Sequence, residues 1–372
     1  MQNKIIKSDF FQANVSSKTN WLFIKLENKD NLIGWGEATL AGKEQEVMKI
    51  KESIFDLILD REYNSPYDFK KFLPFNNIIE ASISSSIMQC LWDIEGKKDQ
   101  KSISEIFGTK NKIIQTYANF NRSTINRTIE GVRSKAKEVL DDGFTIVKFA
   151  PFDEVNSDMK NLEANQAMSI GLERINVIRE TLGPDIAIMI DCHERFNYNT
   201  TLGLIKECEQ FNLHWIEGPI IEEIENIDAI KKIRLKANNK GIKLAGLEKK
   251  VLKEGFYKYL KAGAYDTMMP DIKYAGGPDE LLDIEKLFTK YSVEFSPHNP
   301  SGPIAHAHTL QICSSSIKDA LMEYQYKETN YFDDLLEAPN PEIISGKSTI
   351  PEHINGLGVA INELQLKRLN SD

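Results

Sequence analysis

Acidic side chains stand at the ends of apolar runs in the second half of this 372-residue sequence. Asp191 closes IAIMID, Glu217 closes NLHWIE and Glu248 closes IKLAGLE. Three oxygen ligands, with no cysteine among them and no histidine pair at helical spacing, favour a hard cation over zinc. We therefore predict that these three residues bind one Mg²⁺ ion per active site.

The series continues with three more polar residues at similar intervals. Asp271 follows YDTMMP, His298 follows VEFSP and Glu323 closes DALME, so the six positions are separated by 26, 31, 23, 27 and 25 residues. Each interval suits one strand plus one helix, and βα units that close into a barrel bring all strand ends to one face. Single acidic residues often cap helices or pair with lysines, but the ordered set predicts one shared pocket.

Asp271 and His298 are predicted to lie on adjacent strands and to act together. The carboxylate would hold one tautomer of the imidazole and raise its basicity, making His298 a general base worth about 10²–10⁴-fold in rate. In an eight-stranded barrel, the strand that ends near His193 is opposite the strand that ends near His298. His193 is therefore either an acid facing this base or a neighbour that orients the metal carboxylates.

The alternation of side chains along a strand adds further residues to the predicted site. Residues two apart point the same way, so Asp191 and His193 are predicted to share a face, as are Lys148 and Ala150. Lys148 would place a fixed positive charge in the site. A protonated Glu323 could donate a hydrogen bond to an oxygen on which negative charge develops. Together these groups predict proton abstraction beside a carboxylate, with the metal ion stabilising the charge that forms.

Short apolar runs alternate with amphipathic segments from residue 112 onward, a pattern that predicts a right-handed βα repeat closing into a barrel. The eight predicted strands are IIQTYA, FTIVKFA, IAIMID, LHWIE, IKLAG, AYDTMM, SVEF and DALME. The predicted helices lie at 127–141, 168–182, 200–211, 222–237, 250–262, 278–290 and 302–314.

The first part of the chain has a different pattern. WLFIKLE and LIGWGEA alternate in the manner of strands and are joined by the turn-rich NKDN, which predicts an antiparallel hairpin. Apolar positions at helical spacing then predict helices at 43–60, 66–73 and 77–96.

These patterns predict an α/β fold, a TIM-type (β/α) barrel with an α+β capping domain. The barrel is assigned to residues 112–344 and the capping domain to residues 1–111. Residues 345–372 are expected to complete the capping domain, because chain ends often lie close together. Two domains suit a 372-residue chain, which exceeds the roughly 250 residues typical of a single barrel.

The composition excludes several functional classes. A net charge of −9 with a pI near 5.4 gives no basic footprint for nucleic acid, and 41% hydrophobic residues can bury a large core. No signal-length apolar segment begins the chain, and no stretch reaches the roughly 18 apolar residues of a membrane span. The four cysteines are scattered, which suits reduced thiols. We expect a cytoplasmic enzyme that acts on a small molecule.

Several motifs together resemble the enolase superfamily, and within it the mandelate racemase-like branch that acts on acid sugars. GWGEA and ASISSSIMQCLWDIEGKK look like parts of its capping domain. MID, WIEGP and GLE look like its three metal-ligand strands, and MPDIKYAGG and PHNPSGP like its Asp–His dyad. The resemblance covers nearly the whole chain. It implies a Lys or His base working with Mg²⁺, and assembly into a symmetric homo-oligomer.

Departures from the branch narrow the expected reaction. Its racemases carry Lys-x-Lys on the second strand, with the second lysine as a base, whereas this chain has Lys148, Phe149 and Ala150. DCHER is similar to the galactonate dehydratases, in which the corresponding histidine assists departure of hydroxide. Leu247 stands where the branch usually has glycine, and Gly218 where it has a second glutamate. The resemblance thus implies dehydration of a sugar acid, an aldonate or aldarate, to a 2-keto-3-deoxy acid.

Polar residues of the loops are the candidates for contacts to the substrate. YANFNRS supplies Asn119 and Arg122 as candidates, and Arg195 and Asn299 are further ones, although polar loop residues are more often simply solvated. Cap loops at 10–20 and 40–46 are expected to reach the substrate.

Three other functions stay open. One is a cycloisomerase or epimerase of an acid sugar that uses the same enolate. Another is a metal-dependent barrel aldolase or sugar isomerase. The third is a relative that binds a metal or an acid metabolite without catalysis, although a binding protein needs no proton-transfer dyad.

Overall fold

A computed structural model describes residues 3–16 and 19–370 of the chain. An antiparallel sheet of four strands begins it: β1 (Asn3–Asn14), β2 (Asn20–Asn28), β3 (Ile33–Glu37) and β4 (Glu62–Tyr63). Their order in the sheet is β3-β2-β1-β4. The predicted hairpin is confirmed, because Phe23 to Glu27 of β2 pair antiparallel with Glu37 to Ile33 of β3.

Three helices complete the cap: α1 (Glu44–Phe55), α2 (Ile78–Asp99) and α3 (Ile103–Phe107). Asn77 caps α2 by accepting hydrogen bonds from the backbone N–H groups of Ile79 and Glu80. The helix predicted at 66–73 is wrong in extent, since the structure has only a 3-10 helix at Pro66–Phe69. Pro74 explains why no helix reaches Leu73, because the residue before a proline is disfavoured in helical conformation.

Eight parallel strands form the barrel, and all eight predicted strands are confirmed. They are β5 (Ile113–Asn119), β6 (Ile146–Phe149), β7 (Ala187–Asp191), β8 (Leu213–Glu217), β9 (Lys243–Gly246), β10 (Thr267–Met268), β11 (Glu294–Phe295) and β12 (Leu321–Gln325). Each strand from β5 to β10 pairs with the next, and β12 pairs with β5. Glu323 N–H also donates to the carbonyl of Pro297, beyond β11. The predicted α/β barrel with an α+β cap is therefore confirmed.

Helices connect the barrel strands as predicted, although the helix predicted at 168–182 begins at Asn161 and the one predicted at 222–237 begins at Ile227. They are α4 (Ile129–Asp141), α5 (Asn161–Leu182), α6 (Tyr198–Cys208), α7 (Ile227–Asn238), α8 (Glu254–Ala262), α9 (Pro278–Lys290) and α10 (Pro303–Ser315). No helix among the described residues is long and apolar enough to cross a membrane.

Alternation along the strands divides the barrel interior into an apolar and a polar layer. The buried side chains of the apolar layer are Tyr117, Met189, Trp215, Ala245 and Met269. Two residues further along the same strands, the chain places Asn119, Asp191 and Glu217. The polar layer thus lies at the carboxyl ends of the strands, above a packed apolar floor.

The C-terminal segment contacts both parts of the molecule. It contains α11 (Tyr331–Asp334), β13 (Ile343–Ile344), β14 (Lys347–Thr349) and α12 (Glu363–Leu369). β14 pairs antiparallel with β5, so residues 347–349 extend the barrel sheet. Further on, Leu357 N–H donates to Asp93 of α2 at 2.8 Å, and Glu363 pairs with Lys25 of β2 at 2.6 Å.

Glu37, at the end of β3, ties the cap to the barrel. Its side chain is fully buried and accepts hydrogen bonds from the backbone N–H groups of Gly302 at 2.8 Å and Ala305 at 2.9 Å. These groups belong to the start of α10, whose first N–H groups have no partner within the helix. The Glu37 side chain of the cap therefore accepts hydrogen bonds from backbone N–H groups at the start of α10, the helix that follows His298 in the sequence.

We predict that Glu37→Ala destabilises the protein, because it leaves two buried N–H groups without an acceptor at about 1–3 kcal/mol each. Glu37→Gln keeps an acceptor oxygen and should cost less. The free energy of unfolding from urea titration measures both variants. A Glu37→Ala protein within about 0.5 kcal/mol of the unsubstituted chain would contradict this role.

Candidate active site

The carboxyl ends of the barrel strands and the loop after β3 enclose a cavity of about 420 Å³. The cap contributes part of the predicted 40–46 loop. Cap segment 10–20 contains Ser17 and Lys18, which lie outside the described residues, while Thr19 contacts Arg122 at 3.4 Å. The cavity is lined by Thr39, Leu40, Ala41, Lys43, Ile78, Asn119, Asn121, Arg122, Asp191, His193, Glu248, Lys249, Lys273, Tyr274, His298 and Pro300.

The predicted dyad is formed in the structure. His298 Nδ1 lies 2.8 Å from Asp271 Oδ2, and Asp271 is fully buried. Lys273 approaches the same carboxylate twice, its Nζ at 2.8 Å from Oδ2 and its backbone N at 2.8 Å from Oδ1. Asp271 is thus held as an anion that accepts a hydrogen bond from Nδ1 of His298. Nε2 is then the nitrogen that faces the cavity.

Glu248 contacts the other ring nitrogen of His298, Nε2. Its Oε2 lies 2.9 Å from His298 Nε2. Burial alone would lower the pKa of His298, but Glu248 and Asp271 outweigh it and raise the pKa to about 10. In this arrangement the ring is an imidazolium, so its use as a base requires Glu248 to take another partner.

His193 contacts Asp191 through a tight turn. The two were predicted to share a strand face, but β7 ends at Asp191, and His193 and Glu194 have φ values of 48° and 58°. These left-handed residues return the imidazole to the carboxylate, with Nε2 3.0 Å from Oδ2. Asp191 raises the pKa of His193, and the side chain is 45% exposed. His193 therefore presents a proton at the cavity.

Lys148 lies below the cavity between two carboxylates. Its Nζ is 2.9 Å from Glu217 Oε1 and 2.7 Å from Glu323 Oε1, and all three side chains are buried. Burial opposes the charge on the lysine, but Glu217 and Glu323 outweigh it and raise the pKa of Lys148. The result is a closed ion-pair network at the centre of the polar layer.

Glu323 differs from its predicted protonated form. Burial raises its pKa, but Lys148 and then His298 outweigh burial and lower it, so the group is ionised here. Asn119 Nδ2 also donates to Oε1 at 2.7 Å and Asn299 N–H to Oε2 at 2.9 Å. Glu323 thus acts as an acceptor in this structure, and donation from it is not supported.

The three predicted metal ligands stand beside one another but each contacts a different cation. Asp191 and Glu217 are direct neighbours in the register of β7 and β8. Burial raises the pKa of Glu217 to about 8. Lys148 lowers this pKa, whereas Asp191 and Glu323 raise it further. No three His, Cys, Asp or Glu side chains of residues 3–16 and 19–370 are arranged to hold a metal as they stand. The donor set, two buried carboxyl groups and the partly buried Glu248, consists of oxygen ligands and fits a hard cation.

Two of the four predicted substrate contacts line the cavity, Asn119 and Arg122. Arg195 does not, because its Nη1 donates to the backbone carbonyls of Asp153 and Val155 at 2.8 and 3.3 Å. Asn299 does not either, since its amide donates to Glu323 O at 3.0 Å and contacts His306. Direct substrate binding by Arg195 and Asn299 is therefore not supported.

The residue of the site that the sequence prediction missed is Lys273. It is 3% exposed, lines the cavity, and contacts Ser301 as well as Asp271. Its position two residues after Asp271 was the available signal, because alternate residues often share a face. Tyr274 and Lys249 also line the cavity and were not predicted.

Comparison with known proteins matches most of the chain to two family models. Residues 131–365 match the family described as Enolase C-terminal domain-like, and residues 11–108 match the mandelate racemase / muconate lactonizing enzyme N-terminal domain.

Curated relatives include proteins named D-galactonate dehydratase. The one from Xanthomonas campestris pv. campestris (strain B100) is 28% identical over 364 residues, covering 95% of this chain and 91% of the relative. The one from Verminephrobacter eiseniae (strain EF01-2) is 25% identical, covering 92% and 89%. These matches support the conclusion that the chain is an enzyme, a hydro-lyase.

Solved structures support the fold. A member of the enolase superfamily from Salmonella Typhimurium superimposes with a TM-score of 0.88 at 20% identity, covering 98% of each chain. The mandelate racemase/muconate lactonizing enzyme from Jannaschia sp. CCS1 gives a TM-score of 0.86 at 20% identity, covering 98% and 97%. The chain belongs to the enolase superfamily, in its mandelate racemase/muconate lactonizing enzyme group.

Proposed function

We propose that this enzyme dehydrates a sugar acid, an aldonate or aldarate, to a 2-keto-3-deoxy acid in a Mg²⁺-dependent reaction. The observation that carries the proposal is the pair of histidines in one cavity. His298 is held by Asp271 at 2.8 Å, and His193 is held by Asp191 at 3.0 Å. They follow β11 and β7, which are four strands apart in a closed ring of eight. One base and one acid on opposite sides suit an elimination.

His298 is the proposed base. Its Nε2 would take the proton from the carbon next to the substrate carboxylate, while Nδ1 stays hydrogen-bonded to Asp271. The raised pKa of about 10 comes partly from Glu248, which contacts Nε2 at 2.9 Å. The proposed role of Glu248 as a cation ligand removes that contact, so it lowers the pKa of His298 toward the range in which a neutral base exists at pH 7.

His193 is the proposed acid. Asp191 raises the pKa of His193 in this structure, and the proposed role requires the ring to keep its proton when Asp191 binds the cation. As the bond from the β-carbon to its hydroxyl oxygen breaks, His193 would protonate that oxygen and water would leave. The remaining enol then tautomerises to the 2-keto-3-deoxy acid.

Asp191, Glu217 and Glu248 are the proposed ligands of the cation. Bound there, Mg²⁺ would bind substrate oxygens and stabilise the charge that develops on the substrate carboxylate, a contribution of several kcal/mol. Lys148 supports the same charge from below. It is fixed by Glu217 and Glu323, so its ammonium needs no reorganisation during the reaction.

The second strand argues against a reaction that needs a base on each side of the substrate. β6 presents Lys148, and the position two residues later is Ala150, which is buried and has no titratable side chain. A racemase with opposed lysine and histidine bases therefore lacks one base here. Elimination requires only the single base His298.

Arg122 and Asn119 are the proposed contacts to the rest of the substrate. Among the described residues, the hydrogen bonds of Arg122 all use Nη1, at 3.4 Å to Thr19 Oγ1 and 3.5 Å to the Pro300 carbonyl and Glu328. A guanidinium has five N–H donors, so Arg122 retains donors for a hydroxyl or a second carboxylate. The relatives named D-galactonate dehydratase make aldonates the first substrates to test.

A panel of stereoisomeric aldonates and aldarates, incubated with the protein and Mg²⁺ in D₂O, tests the reaction. We expect one or a few members to yield a 2-keto-3-deoxy acid in NMR spectra, and chelation by EDTA to abolish turnover. Exchange of the α-proton with no keto acid would indicate an epimerase or cycloisomerase instead. Neither product nor exchange on any member would argue against the proposal.

Replacement of the base gives a second prediction. His298→Asn should lower kcat by about 10²–10⁴-fold and abolish α-proton exchange, since it removes the nitrogen proposed to accept the proton. His214→Asn is the matched control, because His214 lies on β8 and does not line the cavity. Unchanged turnover by His298→Asn on the identified substrate would exclude the base.

Replacement of the acid separates the two proton transfers. His193→Asn should block formation of keto acid while the α-proton still exchanges with D₂O, because His298 remains in place. NMR of the substrate recovered from D₂O measures the exchange. Loss of exchange together with elimination would mean that His193 acts before the leaving group departs, in metal binding or substrate orientation.

A further inference from the structure

The residue before Glu248 has a backbone conformation that leucine rarely adopts. β9 ends at Gly246, and Leu247 has a φ of 71°, in the left-handed region. Residues with a Cβ are uncommon there, and glycine is the usual occupant. Leu247 is also fully buried. Because this turn sets the direction in which Glu248 leaves the strand, some interaction must hold it.

Glu222 supplies that interaction. Its Oε1 accepts a hydrogen bond from Leu247 N–H at 2.8 Å and another from the Tyr265 hydroxyl at 2.8 Å. The Glu222 side chain is 7% exposed and comes from the segment after β8, on the neighbouring barrel strand. Gly246 makes room for it, since a Cβ at that position would collide with Glu222 Oε1.

The other flank of Glu248 is held by the same residue. The Glu222 carbonyl accepts from Lys250 Nζ at 2.6 Å and from the Tyr259 hydroxyl at 2.5 Å. Glu222 N–H donates to Glu194 Oε1 at 3.2 Å, which anchors it to the turn after β7. Both sides of Glu248, residues 247 and 250, are therefore attached to one buried side chain and its backbone.

We propose that Glu222 is a positioning residue for Glu248, holding Leu247 in the left-handed turn that aims the Glu248 carboxylate at the cation site. This inference rests on the proposed function, in which Glu248 is a metal ligand. A glycine at position 247 would reach the turn without help, whereas a leucine needs the Glu222 hydrogen bond. The two residues thus act as a pair.

The pairing predicts a specific effect on metal affinity. Without the hydrogen bond, Leu247 samples other conformations, and the apparent affinity falls with the fraction of molecules in which Glu248 is correctly placed. Loss of a group that orients a metal ligand typically weakens binding about 10–100-fold. The effect should disappear when residue 247 is a glycine.

Binding of Mn²⁺ alone to the full chain, followed by electron paramagnetic resonance, measures this without turnover. We expect Glu222→Ala to raise the Kd about 10–100-fold, and Glu222→Gln to stay near the unsubstituted value because its amide oxygen still accepts both hydrogen bonds. Adding Leu247→Gly to Glu222→Ala should restore the Kd. Glu223→Ala is the matched control, since Glu223 is the exposed neighbour.

Thermal unfolding without metal distinguishes positioning from general stability. Leu247→Gly removes a buried side chain, so the double variant should melt lower than Glu222→Ala while binding Mn²⁺ more tightly. A merely structural role predicts that affinity and melting temperature fall together, and that result would overturn the inference. A Glu222→Gln protein as weak as Glu222→Ala would overturn it as well.

The controls separate this inference from the proposed function. If the unsubstituted protein binds one Mn²⁺ and Glu222→Ala binds it equally well, only the role of Glu222 is overturned. If the unsubstituted protein binds no Mn²⁺, the proposed metal site is overturned and the role of Glu222 with it.

Discussion

Buried carboxylates that need cations determine the arrangement of the barrel mouth. A carboxylate removed from water is costly unless it is paired, and the polar layer contains five carboxyl groups, buried at Asp191, Glu217, Asp271 and Glu323 and partly buried at Glu248. Each of the five contacts the side chain of a lysine or a histidine. Lys148 contacts Glu217 and Glu323, and Lys273 and His298 contact Asp271. His193 contacts Asp191, and His298 also contacts Glu248. The positions of the proposed acid, base and electrostatic groups follow from this pairing.

The same constraint explains why the site is compatible with a cation from solution. The two lysines are buried with their partners, whereas the two histidine contacts open onto the cavity. Exchange of these histidine contacts for a divalent ion would leave the lysine pairs intact. It would also free the Nε2 atoms of His193 and His298 at the place where the substrate is expected. Proton transfer and ion binding are thus linked through shared carboxylates.

Much of the architecture could be predicted because each barrel strand is a contiguous apolar run ending in a polar residue. Convergence of strand ends then brought Lys148, Asp271, His298 and the three proposed ligands together without knowledge of tertiary contacts. Local conformation was less accessible. Nothing in DCHER indicates two consecutive left-handed residues, so His193 was placed on a strand rather than in a turn. Arg195 and Asn299 were misplaced because their partners are backbone carbonyls and buried side chains distant in sequence.

The attachment of the C-terminal segment to the cap has a consequence for how such a protein can change in evolution. Asn370 donates to the Gln12 carbonyl at 2.7 Å, and residues 357 and 363 contact α2 and β2. The cap, whose loop after β3 encloses the cavity, is therefore assembled from stretches on both sides of the barrel in the sequence. Recombination of one contiguous segment cannot exchange it whole. New substrate preferences in this chain are thus expected to arise by replacement of individual loop residues rather than by transfer of a domain.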